Sequence, residues 1–338
     1  MPDLLRWGIL GTGNIAGQFA ESMRGASRGR LAAVASRRDD AASAFATRYG
    51  VEHAHEGYEA LLRDRSVDAV YNALPNALHH DWTMAALQTG KHVLCEKPLA
   101  CNLTESEQMF DMAQRQGCCL VEAFMYRSHP LTTAVLEQVR AGTIGELRMI
   151  RTSFCYATRH IDGNVRFSAE LAGGALMDIG CYCTSFARLH AGSEPTQLHA
   201  VAQLHESGVD ILTAGTLTFA TGLLASFVCG MNAHADNSAY LCGSEGFIVV
   251  PVPWKPPVTG GAYTVARMTA PRMDRKTPAE KPAPRTVHVD AGKPLYALEA
   301  DDFAATVQDS AEPAISRAET LGNMRVLDEL RRQVGLGF

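Results

Sequence analysis

The sequence predicts an α/β protein: an N-terminal Rossmann-type doubly wound parallel sheet, then a C-terminal α+β domain with an open, mostly antiparallel sheet. Three observations carry that expectation. Short apolar runs alternate with helical patterns through residue 123. After Pro130 the texture changes to stretches rich in Thr, Val, Phe and Leu. The segment "GILGTGNIAG" stands directly behind the first apolar run. At 338 residues the chain exceeds one ordinary core, so two domains are expected, at 1–123 and 124–338.

The apolar runs at 6–10, 31–36, 67–72, 91–95 and 118–123 read as strands buried on both faces. Helical patterns at 14–24, 39–49, 58–63, 79–90 and 104–116 lie between them. Strand, helix, strand repeated in this way implies right-handed crossovers and a parallel sheet covered on both sides. Asp39 and Asp40 open the second helix, and Thr104 with Glu107 has capping-box spacing for the fifth.

In the second half, a helix at 131–141 precedes strands near 147–156, 197–205, 211–219, 223–231, 238–242 and 247–250, interrupted by a helix at 173–191. Residues 251–286 hold eight of the fifteen prolines and show little periodicity, which reads as an excursion or loop. Helices at 296–310 and 316–334 close the chain. A sheet with helices on one face needs a cover for the other. A second subunit is the expected cover, giving a homodimer or homotetramer.

Composition removes several function classes. An apolar content of 46% with 20% charge is that of a soluble globular protein. A net charge of −5 leaves no polybasic footprint for nucleic acid or an anionic membrane. No apolar run is long enough to span a bilayer, and no secretory leader precedes "RWGILG". Nine scattered cysteines fit reduced thiols in the cytoplasm better than a disulfide framework. No His/Cys/Asp/Glu set has metal-ligand spacing, and no G-x-S-x-G nucleophile elbow is present.

Gly11, Gly13 and Ala16 form G-x-G-x-x-A between the first strand and the first helix. The first glycine permits the tight turn, the second lets the backbone approach a pyrophosphate, and the small third residue lets helix and strand pack. The helix N-terminus then offers free N–H groups to the phosphates, so Gly11, Thr12, Gly13, Asn14 and Ile15 are expected to hold a dinucleotide. The second strand ends in Ser36, Arg37 and Arg38, where an NAD enzyme would usually place an acid. A hydroxyl and two guanidinium groups suit a 2′-phosphate, so the reading favours NADP, with NAD still possible. The bland alternative is a solvated helix start capped by Asp39 or Asp40.

Strand 91–95 runs into Glu96, Lys97 and Pro98. Its C-terminal end falls on the sheet edge where the cofactor binds, which makes Glu96 and Lys97 neighbours of the nicotinamide. Pro98 restricts Lys97 to extended geometry and so aims its side chain. There the ammonium can bond a ribose or substrate hydroxyl and lower the pKa of a nearby acid.

The segments "GTGNIA", "LPNALH" at 74–79 and "CEKPLA", in this order, resemble the glucose–fructose oxidoreductase, inositol dehydrogenase and MocA-type (Gfo/Idh/MocA) family. "EAFMYRSHP" at 122–130 and "GGALMDIGCY" at 173–182 resemble its branch of dimeric dihydrodiol dehydrogenases and NADP-dependent aldose (xylose) dehydrogenases. The likeness covers nearly the whole chain apart from the proline-rich excursion. It implies a Rossmann domain, an open-sheet domain and hydride transfer with NAD(P) on sugars or cyclic polyols. It also implies a catalytic Lys97, often with a cis bond to the following proline, and Leu74, Pro75, Asn76 and His79 bordering the nicotinamide ribose. Ala172 stands where relatives often carry a third glycine.

In the same resemblance Asp178 and Tyr182 match the Asp-then-Tyr pair of aldose-oxidising members, where inositol-type members carry His second. At i and i+4 the two share a helix face, although a tyrosine on an amphipathic helix is more often core. Tyr182 is the expected general acid–base, with Lys97 lowering its pKa from near 10. Asp178 is expected to bind a neighbouring substrate hydroxyl, and Arg127 and Arg166 are further substrate candidates. Two alternatives stand beside this reading: a glucose–fructose-type enzyme with tightly held nucleotide, and a non-catalytic NAD(P)-sensing regulator of the same fold.

Overall fold

A computed structural model describes residues 4–268 and 283–337. The first half builds β1 (Leu5–Leu10), α1 (Asn14–Ser22), β2 (Gly29–Ser36), α2 (Asp39–Tyr49), β3 (His53–Glu56), α3 (Tyr58–Arg63), β4 (Ala69–Asn72), α4 (His79–Gln88), β5 (His92–Glu96), α5 (Leu103–Gln116) and β6 (Leu120–Ala123). The six strands pair in parallel in the order β3-β2-β1-β4-β5-β6. The order reverses between β1 and β4, which opens a crevice at the strands' C-terminal ends. Gly11, Asn76 and Lys97 follow three of those ends.

Sequence periodicity missed β3. Its four residues, His-Ala-His-Glu, are polar because it is an edge strand with little apolar surface to bury. The fifth helix is capped two residues earlier than the expected pair. Asn102 Oδ1 accepts from the Glu105 N–H at 2.9 Å, while Glu105 Oε2 accepts from the Cys101 N–H.

The second half adds α6 (Pro130–Arg140), β7 (Leu147–Cys155), α7 (Cys181–Ala191), β8 (Pro195–Leu204), β9 (Asp210–Phe219), β10 (Leu224–Gly230), β11 (Ala239–Gly243), β12 (Gly246–Val250), β13 (Gly261–Arg267), β14 (Arg285–Val289), α8 (Leu295–Asp309) and α9 (Arg317–Gln333). Eight strands order as β14-β13-β12-β11-β7-β10-β9-β8, antiparallel except for the β7–β10 pair. Alternation along β10 shows why one face is covered: Ala225, Phe227 and Cys229 are buried, whereas Leu224 and Val228 are exposed.

Residues 251–286 therefore contain more than an excursion. β13 and the start of β14 extend the sheet, and Gly261, Tyr263 and Val265 alternate inward. Proline density hid that period. Part of the stretch, 269–282, lies outside the described residues.

The last two helices return to the first sheet. Trp7 on β1 packs on Phe19 of α1 and on Phe303 of α8, at 5.4 and 5.1 Å between ring centroids. Asp301 on α8 accepts from the Ser27 and Arg28 N–H groups at 2.9 and 2.8 Å. On α9, Arg331 donates to the Cys101 carbonyl at 2.7 Å. These buried ties fix the angle between the two sheets, and hence the cleft between them.

Candidate active site

One cavity of about 630 Å³ runs along that cleft from the glycine loop to Tyr182. At the nucleotide end the backbone shapes it. Gly11 has φ +97°, a left-handed conformation that glycine adopts without a steric penalty. A side-chain carbon on Gly13 would meet no protein atom within 4 Å, so its space is kept open for a ligand. Gly13 also caps α1 without a side-chain bond, leaving the first N–H groups of the helix available. Thr12, Asn14 and Ile15 complete this wall, and Ser36, Arg37, Leu74, Pro75 and Asn76 extend it. These residues fit a nicotinamide dinucleotide: open backbone for the pyrophosphate, and a hydroxyl with a guanidinium for a ribose phosphate.

Two expected cofactor residues stand elsewhere. Arg38 is exposed, pairs with Asp40 at 3.3 Å and borders an adjoining surface groove. Its side chain follows the start of α2 outward, so Arg37 alone turns into the cavity. His79 is wholly buried, with ring nitrogens 2.9 Å from the Pro98 carbonyl and 2.8 Å from the Leu74 carbonyl. It clasps the two cavity-lining segments from behind without touching the space itself.

At the other end Lys97 leaves β5 through a cis peptide bond to Pro98. Its Nζ donates to the Asp178 carbonyl at 2.6 Å and lies 3.3 Å from Asp178 Oδ1. The opposite carboxylate oxygen of Asp178 accepts from the Tyr156 hydroxyl at 2.7 Å and from Arg166 Nε at 2.8 Å. Burial alone would raise the Asp178 pKa, but Lys97 and Arg166 outweigh it and hold the carboxyl down at about 2. For Lys97, burial pulls the ammonium pKa down, and Asp178, with Cys181 and Glu96, together more than reverse it.

Asp178 does not sit on a regular helix face with Tyr182. Residues Leu176–Gly180 form a π-helical turn ahead of α7, and such turns recur at functional sites. Close approach explains the preceding glycines. A side-chain carbon at Gly173 would strike the Arg166 carbonyl, and one at Gly174 would strike Asp210. Ala172 takes φ +56°, the left-handed geometry for which relatives' glycine is suited, and its carbonyl accepts from Asn76 Nδ2 at 2.8 Å.

Tyr182 is 4% exposed and packs edge-on to Phe124 and Phe154. Among the described residues its hydroxyl has only a weak acceptor, Met125 Sδ at 3.3 Å. The expected Lys97 contact differs in kind: Nζ lies 5.2 Å from the ring centroid, over the face of the ring. The phenol pKa is accordingly not lowered. Burial pushes it well above its ordinary value, and Glu96 and Tyr296 add to the rise. Lys97 is committed to Asp178, which corrects the expectation of a lysine-acidified phenol.

Arg127 is also corrected as a substrate residue. Its buried guanidinium pairs with Glu319 at 2.6 Å, tying the 125–128 turn to α9. Arg166, by contrast, lines the cavity from its half-open rim. Sequence reasoning missed Tyr156, Lys255 and Tyr296, all of which line the same space. The legible signal for Lys255 was its neighbour. Trp254 is an aromatic inside a proline run, stacked on Phe154 at 5.5 Å and donating Nε1–H to the Ser153 carbonyl at 2.8 Å. Among the described residues there is no cluster suited to a metal ion and no helix long and apolar enough to cross a membrane.

Comparison with known proteins places this geometry. The model of an oxidoreductase family with an NAD-binding Rossmann fold, GFO_IDH_MocA, matches residues 5–124, and the GFO/IDH/MocA C-terminal domain model matches 132–249. A D-xylose 1-dehydrogenase (NADP(+)) of Haloferax volcanii is 32% identical, covering 98% of each chain. A trans-1,2-dihydrobenzene-1,2-diol dehydrogenase of Mus musculus is 34% identical over 75% of this chain and 76% of its own. Among solved structures, a 3-ketoreductase from Actinomadura kijaniata with NADP and TDP-benzene superposes with a TM-score of 0.88 at 30% identity, covering 98% of each chain.

Proposed function

Because this chain belongs to the GFO/IDH/MocA oxidoreductase family, we infer that it is an NADP-dependent oxidoreductase moving hydride between an aldose or cyclic diol and nicotinamide. One observation carries the reading. Lys97, Asp178 and Tyr182 meet in the cavity whose far end is the glycine loop and Arg37. A binding-only protein has no need of a buried acid–base set.

A nicotinamide dinucleotide, held by the glycine loop, Ser36 and Arg37, would supply or take up the hydride. Everything else falls to side chains. Tyr182 stays protonated at neutral pH because its surroundings are dry and acidic. It therefore acts as the proton donor when a carbonyl oxygen is reduced, and as acceptor in the reverse direction. Lys97 lies between Asp178 and the Tyr182 ring, where it can hold a substrate or ribose hydroxyl. Asp178, ionised far below neutral pH, accepts from a neighbouring hydroxyl by exchanging one of its present donors. Phe154 and Met125 pack against Tyr182 and, with Tyr156, line the cavity beside it.

The eight-stranded sheet leaves Met149, Val201, Leu224 and Val228 exposed. Such apolar surface supports a homodimer or homotetramer formed through that face. The nine free cysteines support a reducing, cytoplasmic setting. The proposed division of labour assigns 1–123 to the nucleotide and 124–338 to substrate and assembly.

A second reading has its own support. An aldose-aldose oxidoreductase from Caulobacter crescentus superposes with a TM-score of 0.84 at 25% identity, which favours a variant that retains its nucleotide and cycles it between two sugars. The test is reduced-nicotinamide absorbance with NADP⁺ or NAD⁺ and a panel of aldoses, inositols and cyclic diols. Turnover with free NADP⁺ supports the dehydrogenase. Nucleotide that survives dialysis, with turnover only when two sugars are present, supports the cycler. No turnover in either format refutes both.

A further inference from the structure

The end of the cavity around Tyr182 carries more positive charge than its own acids balance. Lys97, Arg166 and Lys255 line it against two carboxyls, Glu96 and Asp178. Both acids already have partners. Glu96 accepts from the Tyr71 hydroxyl at 2.5 Å and from the Lys97 N–H at 3.2 Å. Asp178 takes Lys97 on one oxygen, and Tyr156 with Arg166 Nε on the other. Two cationic groups remain open. The terminal nitrogens of Arg166 and the Lys255 ammonium have no hydrogen-bond or ion-pair partner among the described residues.

The backbone around Lys255 is fixed. Trp254 before it is buried, stacks on Phe154 and donates to the Ser153 carbonyl. Pro256 after it is buried too, and restricts the Lys255 backbone to extended geometry. One residue further, the Pro257 carbonyl lies 3.2 Å from His129 Nε2. The segment is thus pinned on both sides of the lysine, which stands exposed at the cavity mouth. Enough protein surrounds the ammonium to draw its pKa down, and Lys97 and Arg166 draw it further. A lysine kept only for solubility gains nothing from facing two other cations, and an anion between them removes the repulsion. Hydroxyl groups donate as well as accept, so a neutral sugar calls for acceptors beside the donors. The charged groups left open here are both cations. A guanidinium edge with an ammonium suits a carboxylate or a phosphate, taking two of its oxygens at once.

We propose that Arg166 and Lys255 form an anion clamp, and that the substrate carries a carboxylate or a phosphate ester at the end remote from its reacting carbon. This rests on the hydride-transfer reading above and narrows its substrate class to acidic sugars. Tyr182 meets the oxygen on the reacting carbon, while the clamp holds the other end of the molecule. Charge, and not the hydroxyl pattern alone, then sets which carbon faces the nicotinamide.

The test uses three aldoses that differ only at the carbon farthest from C1: D-glucose, D-glucuronate and D-glucose 6-phosphate. With NADP⁺, the KM of one of the two anions should be lower than that of glucose by about tenfold or more. The preferred anion tells carboxylate from phosphate. A KM for both anions equal to or above that of glucose overturns the clamp. Lys255→Gln should remove most of the preference through the KM of the anion and not through kcat, and Lys255→Arg, which keeps the charge, should retain it. A preference that survives Lys255→Gln overturns the role of Lys255. If the wild type turns over none of the three, the hydride-transfer reading is decided by the wider panel above, and the clamp by binding. Calorimetric titration of the NADP⁺-saturated protein with the same two anions reads it directly, because the nucleotide then fills the phosphate sites at the glycine loop. Binding of either anion that Lys255→Gln weakens by about tenfold supports the clamp. No binding, or equal binding in wild type and variant, overturns it.

Discussion

The two ends of the cavity are built by different means. At the nucleotide end the ligand-facing surface is backbone: Gly11 in a left-handed turn, Gly13 without a side chain, and the free N–H groups of α1. At the substrate end it is side chains from distant elements. Lys97 comes from the end of β5, Tyr156 from the end of β7, Asp178 from a π-helical turn, Lys255 from the proline-rich stretch and Tyr296 from α8. A backbone site needs only local conformation, so it tolerates change elsewhere. A charge network assembled over 200 residues depends on every element holding its place, and can be re-specified by any one of them.

The largest expected effect is at the substrate end. Tyr182→Phe removes the proton donor and should lower kcat by about 10²- to 10⁴-fold, while leaving nucleotide affinity intact, as fluorescence titration would show. A matching loss of nucleotide affinity would mean the two ends are not separable. At the nucleotide end, Arg37→Gln should reduce the preference for NADP⁺ over NAD⁺ by roughly tenfold or more, about 1.4 kcal/mol per factor of ten. An unchanged ratio of kcat/KM values would remove Arg37 from 2′-phosphate recognition.

A smaller effect concerns stability. The Asp178 carboxyl titrates at about 2 in the folded chain against an ordinary 3.8. Its contribution, about 2 kcal/mol, is present above about pH 4 and is lost as pH falls through about 2. The stability gap between wild type and Asp178→Asn in urea should therefore be widest near neutral pH and shrink between those values. A gap that does not change with pH would show that the ion pairs contribute nothing to folding. The smallest effect is at Ala172, whose carbonyl accepts from Asn76 Nδ2. Ala172 holds φ +56°, which costs a side chain about 1–2 kcal/mol, against about 0.5–1 for glycine's extra entropy. Ala172→Gly should raise Tm by about 1–2 °C, and a lower Tm would indicate that the alanine methyl repays its strain by packing.

Legibility followed the same division. The parallel order of the first sheet, the glycine loop and most strands of the second sheet could be read because each announces itself within ten or so residues. The edge strand β3 could not, since it buries too little to leave a period, and β13 was masked by the prolines before it. Arg37 and Arg38 look equivalent in sequence, yet one faces the cavity and the other pairs with Asp40. Arg127 and Arg166 look equally available, yet one is spent on Glu319. In both pairs the choice is made by the direction in which a side chain leaves its element, which residue order does not encode.

By itself the sequence determined the parallel sheet and the glycine loop of the nucleotide end, because turn geometry, strand burial and helix polarity are local properties with local signatures. Only the tertiary structure decided that Lys97 would serve Asp178 instead of acidifying Tyr182, and that Tyr156 and Lys255 would enter the cavity. The physical reason is that charge and desolvation act through space. A carboxylate's partner and a phenol's dryness are set by which surfaces meet when two sheets close on one another.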